Sequence, residues 1–261
     1  MTGFELEEAI GRNPRFLKSG MQSEAYYRQL WETISAGVTW SAEAVERHKA
    51  GHLFTVRQTV TPIRSAEGPI KHYISILEDI TPQKEAEARI YHMAHYDALT
   101  DLPNRMLFHD RLRQTLSLAS RKGHLAALLF LDLDKFKQVN DQHGHHIGDL
   151  LLQGVAERLR ACVREGDTVA RLAGDEFTII LPQIEREADA VSVAEQVLAT
   201  LGRPFQLEEV ELGTATSIGI ALAPRDTTDC ETLMRLADSA MYRAKQEGRG
   251  TWRMHQEEAA E

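Results

Sequence analysis

Two pairs of acidic residues lie where strands are predicted to end or to turn. Asp132 and Asp134 directly follow the apolar run LAALLFL, and alternate residues of a strand share a face. Asp175 and Glu176 lie at the tip of the tight turn in RLAGDEFTIIL, which predicts two short strands. If these strands are neighbours, the carboxylates converge. Hard oxygen ligands of this kind suit Mg²⁺, so the pattern indicates phosphoryl or nucleotidyl transfer.

Other interpretations of these polar clusters stay open at this point. Each acidic pair, taken alone, is usually a solvated surface feature. The histidines of HGHHIGD could be interpreted as a transition-metal site, but adjacent histidines in a loop rarely share one ion without further organisation. The three histidines concerned are His143, His145 and His146.

Composition narrows the class of protein. The chain has 261 residues, of which 43% are hydrophobic and 26% charged, as in ordinary folded proteins, and its length favours two domains. A net charge of -9 without a basic stripe argues against nucleic acid as a partner. The most apolar stretch, residues 125–133, is too short to span a bilayer and no signal peptide is evident, so we expect a cytoplasmic protein. Cys162 and Cys230 indicate neither a disulfide framework nor a zinc site.

The N-terminal third predicts a loop, a helix and a hairpin. Residues 53–63 and 69–78 are rich in β-branched and aromatic residues, and residues 65–68 between them supply turn chemistry. The segment SEAYYRQLWETISAG predicts the helix, with Trp31 and Trp40 available to cover the sheet.

A connecting helix is predicted at 81–95, where the hydroxyl of Thr81 would cap the first turn. Residues spaced four, three and four apart could form a narrow seam that pairs two helices, and a solvated connector is an equal alternative. The seam residues are Ala86, Ile90, Met93 and Asp97.

From Tyr96 onward, helices and strands are predicted to mix in an α+β architecture with antiparallel pairing. The predicted strands are at 125–133, 168–172 and 177–181, with a further pair within 205–222. The predicted helices are at 147–163, 188–201 and 231–246.

The N-terminal segment resembles the later part of a PAS sensor domain through GRNPRFLKSG, YYRQLWETISAG, VTPIRSAEG and EDITPQKEAE. The resemblance implies a partial PAS domain at 1–80 whose first strands would precede Met1, unless another segment completes the sheet. Light sensors of this family carry a reactive cysteine where this chain has Pro14. The histidines that could be considered for haem are better explained as surface residues, so no PAS cofactor is expected; they are His48, His52 and His72.

Residues 95 to about 250 resemble the GGDEF diguanylate cyclase family through six motifs in the family's order. The motifs are YDALTDLPNR, FLDLDKFKQVND, HGHHIGD, VARLAGDEF, TSIGIA and ADSAMYRAKQEGR. The resemblance implies a palm-like nucleotidyl-cyclase domain at 96–255, with a tail at 256–261. It also implies condensation of two GTP molecules into cyclic di-GMP, with two copies of the chain meeting face to face.

The family's site residues can be carried over to matching positions. Asp132, the main-chain carbonyl of Leu133, Asp175 and Glu176 would hold Mg²⁺ or Mn²⁺, and Asp175 would take the proton of the ribose 3′-hydroxyl. Lys137 would stabilise charge in the transition state, although it could also be a surface lysine. Two further groups are implied. The nucleotide contacts would be Asn140, His145, Asp149, Lys245 and Arg249, and an inhibitory product site would contain Arg164 and Asp167.

One position departs from the family pattern, because Ala173 stands where the first glycine of GGDEF would be. A methyl group there would matter most if the backbone needed a positive φ. The favoured expectation is an active cyclase. A non-catalytic cyclic di-GMP receptor and a dimerising scaffold are the alternatives.

Overall fold

The structure is a computed structural model that describes residues 1–65 and 68–256. It divides the chain into two compact units, Met1–Tyr91 and one that begins at His92. Ala66 and Glu67 of the predicted 65–68 turn, and residues 257–261 of the predicted tail, lie outside the described residues.

The first unit has a three-stranded antiparallel sheet with one helix packed on it. Its elements are α1 (Leu6–Ala9), a 3₁₀ turn (Pro14–Leu17), α2 (Glu24–Ser35), β1 (Trp40–Arg47), β2 (Leu53–Arg64) and β3 (Ile70–Asp79), in sheet order β1-β2-β3. The predicted hairpin is confirmed as β2 and β3. Helix α2 begins where the Ser23 hydroxyl accepts a hydrogen bond from the Tyr26 amide.

The two tryptophans of the first unit do not cover the sheet in the way that was predicted. Trp40 is itself part of β1, which was not predicted as a strand, and it is buried with Ile34 and Val60. Trp31 is 54% exposed, so it does not cover the sheet, although its ring meets that of Tyr73 edge-on. Helix α2 therefore covers one face of this sheet with Tyr26, Leu30 and Ile34 rather than with tryptophan.

Helix α3 (Thr81–His95) contains the boundary between the units. The predicted cap was wrong, because the Thr81 hydroxyl accepts from the Thr55 amide of β2 while the Asp79 carboxylate accepts from the Thr81 amide. In the predicted seam, Ile90 and Met93 are strongly exposed. Asp97 lies beyond the helix end and does not belong to that seam.

The second unit is built on a five-stranded sheet in the order β10-β9-β4-β6-β5, in which only β9 and β10 are parallel. The bounds of its sheet strands are β4 (Leu125–Asp134), β5 (Thr168–Ala173), β6 (Glu176–Ile184), β9 (Ala215–Ala223) and β10 (Trp252–Met254). A separate hairpin consists of β7 (Phe205–Leu207) and β8 (Val210–Leu212). The helices are α4 (Arg105–Lys122), α5 (Phe136–Ala161), α6 (Glu187–Leu201) and α7 (Cys230–Gln246). Helix α4 and strand β10 were not predicted.

Strand β4 is buried on both faces, which explains its continuous apolar sequence. Leu129 and Leu131 pack in a cluster with residues of α5 and α6, whereas Leu128 and Phe130 pack with residues of α4 and α7. Asp132 is the next residue in the alternation that contains Leu128 and Phe130. The alternation therefore directs its carboxylate to the face that α4 and α7 cover.

Helix α5 begins at Phe136, eleven residues before the predicted start at 147. Gly144, with φ of 84° and ψ of 161°, divides this element into two helical segments, and the predicted helix from 147 lies in the second. The polar segment that reads as a loop in the sequence is thus the first part of a kinked helix. In the described part of the chain, no helix is both long and apolar enough to cross a membrane.

Candidate active site

Three carboxylates meet at one end of the central sheet. Asp132 of β4 lies directly opposite Glu176 of β6, and Ala173 pairs with Glu176 to close the turn formed by Gly174 and Asp175. The Leu133 amide lies 3.4 Å from the Asp175 carbonyl oxygen. Neighbouring strands therefore bring Asp132, Asp175 and Glu176 together, as their positions in sequence suggested.

Burial and the neighbouring carboxylates destabilise the charged forms of Asp132 and Glu176. Burial raises the pKa of Asp132, and the charge of Asp175 raises it further, while a hydrogen bond from Lys245 acts in the opposite direction. Burial also raises the pKa of Glu176, with the charge of Asp132 as the next contribution. The Lys245 ammonium lies 2.7 Å from the Asp132 carboxylate. The three carboxylates outnumber the nearby cations, which are Lys245 at Asp132 and Arg105 near Glu176.

Asp134 differs from Asp132 although both point to the same face of β4. Its side chain is 4% exposed, and its oxygens accept hydrogen bonds from the Ser217 hydroxyl at 2.9 Å and the Gly250 amide at 3.0 Å. The Arg249 guanidinium lies 3.9 Å away. Asp134 thus ties β4 to β9 and to the loop before β10, and Asp132 is the more accessible carboxylate.

The donor chemistry fits a hard divalent cation. Among the described residues, no group of three or more His, Cys, Asp or Glu side chains is arranged to hold a metal. The implied ligand set contains three such carboxylates, Asp132, Asp175 and Glu176, together with the Leu133 main-chain carbonyl, so these side chains are not arranged here as a complete metal site. A surplus of carboxylate charge beside that carbonyl is what a cation would neutralise. The histidine alternative gains no support, since His146 pairs instead with Glu208 at 2.9 Å.

The first part of α5 carries the implied nucleotide contacts. Lys137 is exposed on its first turn, where helix amides point outward and favour anions. Asn140 Oδ1 is buried without a hydrogen-bond partner, and a Cβ placed on Gly148 would lie 1.9 Å from it. Asn140 is therefore packed beside the residue that precedes Asp149. His145 and Asp149 are exposed.

Lys245 and Arg249 do not share a helix face, which corrects the prediction from their spacing. Helix α7 ends at Gln246, and Arg249 has a left-handed backbone with φ of 66°. Both cations nevertheless reach the end of β4, Lys245 at Asp132 and Arg249 near Asp134. A groove of about 570 Å³ passes between Lys135, which directly precedes α5, and the loop that contains Arg249.

Arg164 and Asp167 form a contact of their own on another part of this unit. The Arg164 guanidinium lies 3.1 Å from the Asp167 carboxylate and also donates to the Gln183 carbonyl. Two grooves of about 320 and 310 Å³ share Asp167 and Arg111 in their walls, and Arg160 lines the second. Of the three arginines that line these grooves, Arg111, Arg160 and Arg164, the sequence motif identified only Arg164.

The turn formed by Gly174 and Asp175 is held by a residue that the sequence analysis did not single out. Arg171 is 11% exposed in its side chain and lies 2.8 Å from Asp97, and it also donates to the Gly174 carbonyl at 2.9 Å. Thr100 donates to the same Asp97 oxygen from its amide and its hydroxyl. Although burial acts to raise it, the hydrogen bonds from Thr100 and Arg171 lower the pKa of Asp97. Asp97 lies in the motif YDALTDLPNR and Arg171 in VARLAGDEF, so these two motifs were the sequence signal that could have identified the pair.

The alanine at the turn introduces no backbone strain. Ala173 is the last residue of β5 and does not have a positive φ, whereas Gly174 has φ of 50°. The turn therefore needs its glycine at 174, where this chain has one. The departure at Ala173 is confined to an exposed methyl group.

Comparisons with known proteins agree with this arrangement. Residues 94–251 match the family described as "Diguanylate cyclase, GGDEF domain", and residues 1–82 match one described as "PAS domain". MucR of Pseudomonas aeruginosa, a bifunctional diguanylate cyclase/cyclic di-GMP phosphodiesterase, is 48% identical over 169 residues, covering 65% of this chain and 24% of MucR. The diguanylate cyclase TpbB of the same species is 41% identical over 172 residues, covering 66% of this chain and 40% of TpbB. This chain thus spans less than half the length of either relative.

Solved structures show the same fold. The GGDEF domain of Pseudomonas aeruginosa TpbB superposes with a TM-score of 0.61 at 41% identity, covering 62% of this chain and 95% of that domain. The coiled coil and GGDEF domain of DgcB from Caulobacter crescentus, in complex with c-di-GMP, gives 0.62 at 27% identity, covering 67% and 93%. The α+β prediction is confirmed, and the chain belongs to the GGDEF diguanylate cyclase family.

Proposed function

We propose that the second unit condenses two GTP molecules into cyclic di-GMP and two pyrophosphates, with Mg²⁺ or Mn²⁺. The observation that carries the proposal is the convergence of Asp132, Asp175 and Glu176 beside the first turn of α5 and Lys245. Such a cluster suits a triphosphate and its cations. Family membership supports the cyclase role, as does similarity to TpbB, which is named as a diguanylate cyclase.

The residues that would hold the cations are Asp132, Asp175 and Glu176 through their carboxylates and Leu133 through its main-chain carbonyl. When bound, the cations would lower the pKa of the ribose 3′-hydroxyl and neutralise triphosphate charge. Asp175 lies at the tip of the turn, where a substrate can reach it, and would accept the hydroxyl proton.

The reaction joins substrates held by two copies of the chain. The 3′-oxygen of one GTP bonds to the α-phosphorus of the other, and the bond from that phosphorus to the bridging oxygen of pyrophosphate breaks. The same step between the second 3′-oxygen and the remaining α-phosphorus closes the ring and releases the second pyrophosphate. Lys137 would stabilise the negative charge that develops on the leaving group, in the same region as the α5 amides. One copy alone supplies half of the reacting atoms, so the rate is expected to depend on dimerisation.

The nucleotide would be held at both ends. Asn140 has a buried oxygen with no partner, and Asp149 is an exposed acceptor nearby in the fold, so together they can read the donor and acceptor edge of guanine. His145 is an exposed neighbour on the same segment. Lys245 and Arg249 would contact the phosphates.

The decisive experiment is incubation of the purified chain with GTP and Mg²⁺, with the product identified by mass spectrometry. We expect cyclic di-GMP from the native sequence and a loss of at least about a thousandfold in rate for Asp175→Ala. Asp110→Ala is the matched control, because Asp110 is an exposed carboxylate of the same unit that contacts Gln114. Equal synthesis by the native and Asp175→Ala proteins would contradict the assignment.

Product binding would be assigned to the surface around Arg164 and Asp167. Arginines there can fork onto phosphate or guanine, and Arg111 adds a second cation. Arg164→Ala should relieve inhibition by added cyclic di-GMP while leaving the uninhibited rate within about twofold. Product binding without synthesis would select the receptor alternative, and no nucleotide binding at all would select the scaffold.

A further inference from the structure

Gly148 is a buried glycine in the second segment of α5, where a residue with a side chain would favour the helix. A Cβ atom built on Gly148 would lie 1.9 Å from Asn140 Oδ1 and 3.0 Å from Asn140 Cγ. The next nearest atom, Phe136 Cζ, would be 3.4 Å away, which is an ordinary van der Waals contact. Gly148 therefore makes room for the side-chain amide of Asn140.

The contact between these two residues depends on the kink in α5. Asn140 and Gly148 are eight residues apart in sequence. A straight α-helix rises about 1.5 Å per residue, so it would separate them by about 12 Å along its axis. The non-helical backbone of Gly144, midway between them, is what allows the two segments of α5 to bring them together.

The same contact orients the Asn140 amide. Oδ1 faces Gly148 and is buried with no hydrogen-bond partner, whereas Nδ2 is not one of the three atoms nearest to the built Cβ position. An oxygen suits this place because the Cα–H group of glycine is a weak donor, and an amide N–H group cannot accept from it. The amide nitrogen and its two N–H groups are therefore directed away from Gly148.

We propose that Gly148 is a positioning residue that sets the preference of the nucleotide site for guanine, a role that rests on the proposed function. By holding Oδ1, it presents Nδ2 of Asn140 to the base as a donor. Guanine offers the O6 acceptor to such a donor, whereas adenine carries the N6 amino group, itself a donor, at that position. Asp149, the next residue along the chain, is an exposed acceptor for the N–H groups of guanine.

A methyl group at residue 148 should therefore impair recognition rather than folding. None of the three atoms nearest to the built Cβ belongs to the backbone, and the two closest are at the end of the Asn140 side chain, which can rotate away. Alanine is also the better helix former. The rotated amide no longer presents Nδ2 to O6, so the loss falls on nucleotides that have this oxygen.

The test is equilibrium binding to the full chain, measured by calorimetry with Mg²⁺ and the α,β-methylene analogues of GTP, ITP and ATP, whose α–β link does not break. Gly148→Ala should weaken binding of the guanosine and inosine analogues, which both have O6, by about tenfold. Binding of the adenosine analogue should change by less than about twofold. Gly154→Ala is the matched control, because it makes the same change in the same segment, 3.1 Å from Phe205.

A double variant shows whether Gly148 acts through Asn140. In an Asn140→Ala background the new methyl group has no amide to displace, so Gly148→Ala should weaken binding by less than about a further twofold. A further loss of about tenfold in that background would overturn the proposal, as would an equal loss for all three analogues. Thermal unfolding should show Gly148→Ala at least as stable as the native chain, and a destabilised variant would also overturn it.

The native chain separates this proposal from the proposed function. Failure of the native chain to prefer the guanosine analogue over the adenosine analogue would contradict the proposed function itself. A guanosine preference that is the same in the native chain and in Gly148→Ala would leave the proposed function intact and overturn only the role of Gly148.

Discussion

The sheets of the two units differ in how much of their surface is covered. In the second unit, β4 has apolar clusters on both faces, and its residues from Ala126 to Leu131 are buried. In the first unit, β3 has no buried residue, and only the α2 side of the sheet is packed. The covered sheet can therefore hold the three carboxylates in a fixed position.

The units also differ in whether a buried ionisable side chain has a hydrogen-bond partner. In the second unit, Arg171 and Asp97 satisfy each other and connect to the catalytic turn. In the first unit, the Glu46 Oε2 and Tyr26 Oη atoms are buried with no hydrogen-bond partner, and burial raises the pKa of Glu46 to about 7. A paired charge fixes structure, while an unpaired one makes the fold sensitive to protons.

The largest effect on stability is expected from the core of the covered sheet. Leu129→Ala should lower the free energy of unfolding of the second unit by about 2–5 kcal/mol, because it removes a fully buried side chain from a two-sided core. Ile63→Ala on the outer face of the first sheet should change stability by less than about 1 kcal/mol. Denaturant unfolding of both variants measures the difference. Similar losses at the two sites would refute the contrast in coverage.

The next effect concerns the buried pair Arg171 and Asp97 behind the turn formed by Gly174 and Asp175. Arg171→Met leaves Asp97 without its cation and the Gly174 carbonyl without its donor, at a cost of about 3 kcal/mol. We also expect kcat to fall at least tenfold with a smaller change in KM, because the turn would lose its anchor. Arg171→Lys keeps the charge and should recover part of both. A stability loss with full activity would show that the pair does not position the turn.

A smaller, pH-dependent effect is expected in the first unit. A raised carboxyl pKa stabilises the fold below the unfolded value near 4.5, and this contribution is lost as the pH rises through about 7. The free energy of unfolding of the first unit, measured by denaturant unfolding, should therefore be lower at pH 8 than at pH 5 by an amount on the order of 1 kcal/mol. Glu46→Gln should remove this dependence. A native and a Glu46→Gln protein with identical pH profiles would exclude Glu46 as its source.

The smallest effect is expected at the departure from the family pattern. Ala173→Gly restores the glycine, but the position has no positive φ, so the rate of synthesis should change by less than about threefold. The free energy of unfolding should fall by about 0.5–1 kcal/mol, because glycine is less favourable in a strand. A gain of tenfold or more in rate would instead show that the methyl group obstructs the substrate.

Much of the scaffold followed from local pattern. The run that became β4 and the turn between β5 and β6 were predictable because apolar runs and turn residues act over a few positions. The hairpin of β2 and β3 followed for the same reason. Local pattern failed in the first part of α5, where Gly144 and the surrounding histidines suggested a loop and the structure has a helical segment from Phe136, whereas the predicted helix from Ile147 is confirmed.

The sequence by itself determined which residue types were available to the candidate site and where along the chain they occur. Only the tertiary structure decided their partners. It buried Asp134 against Ser217 and Gly250, joined Lys245 to Asp132, and paired Arg171 with Asp97. These contacts join residues far apart in the chain, and their strength depends on burial and distance, which neither motif nor spacing specifies.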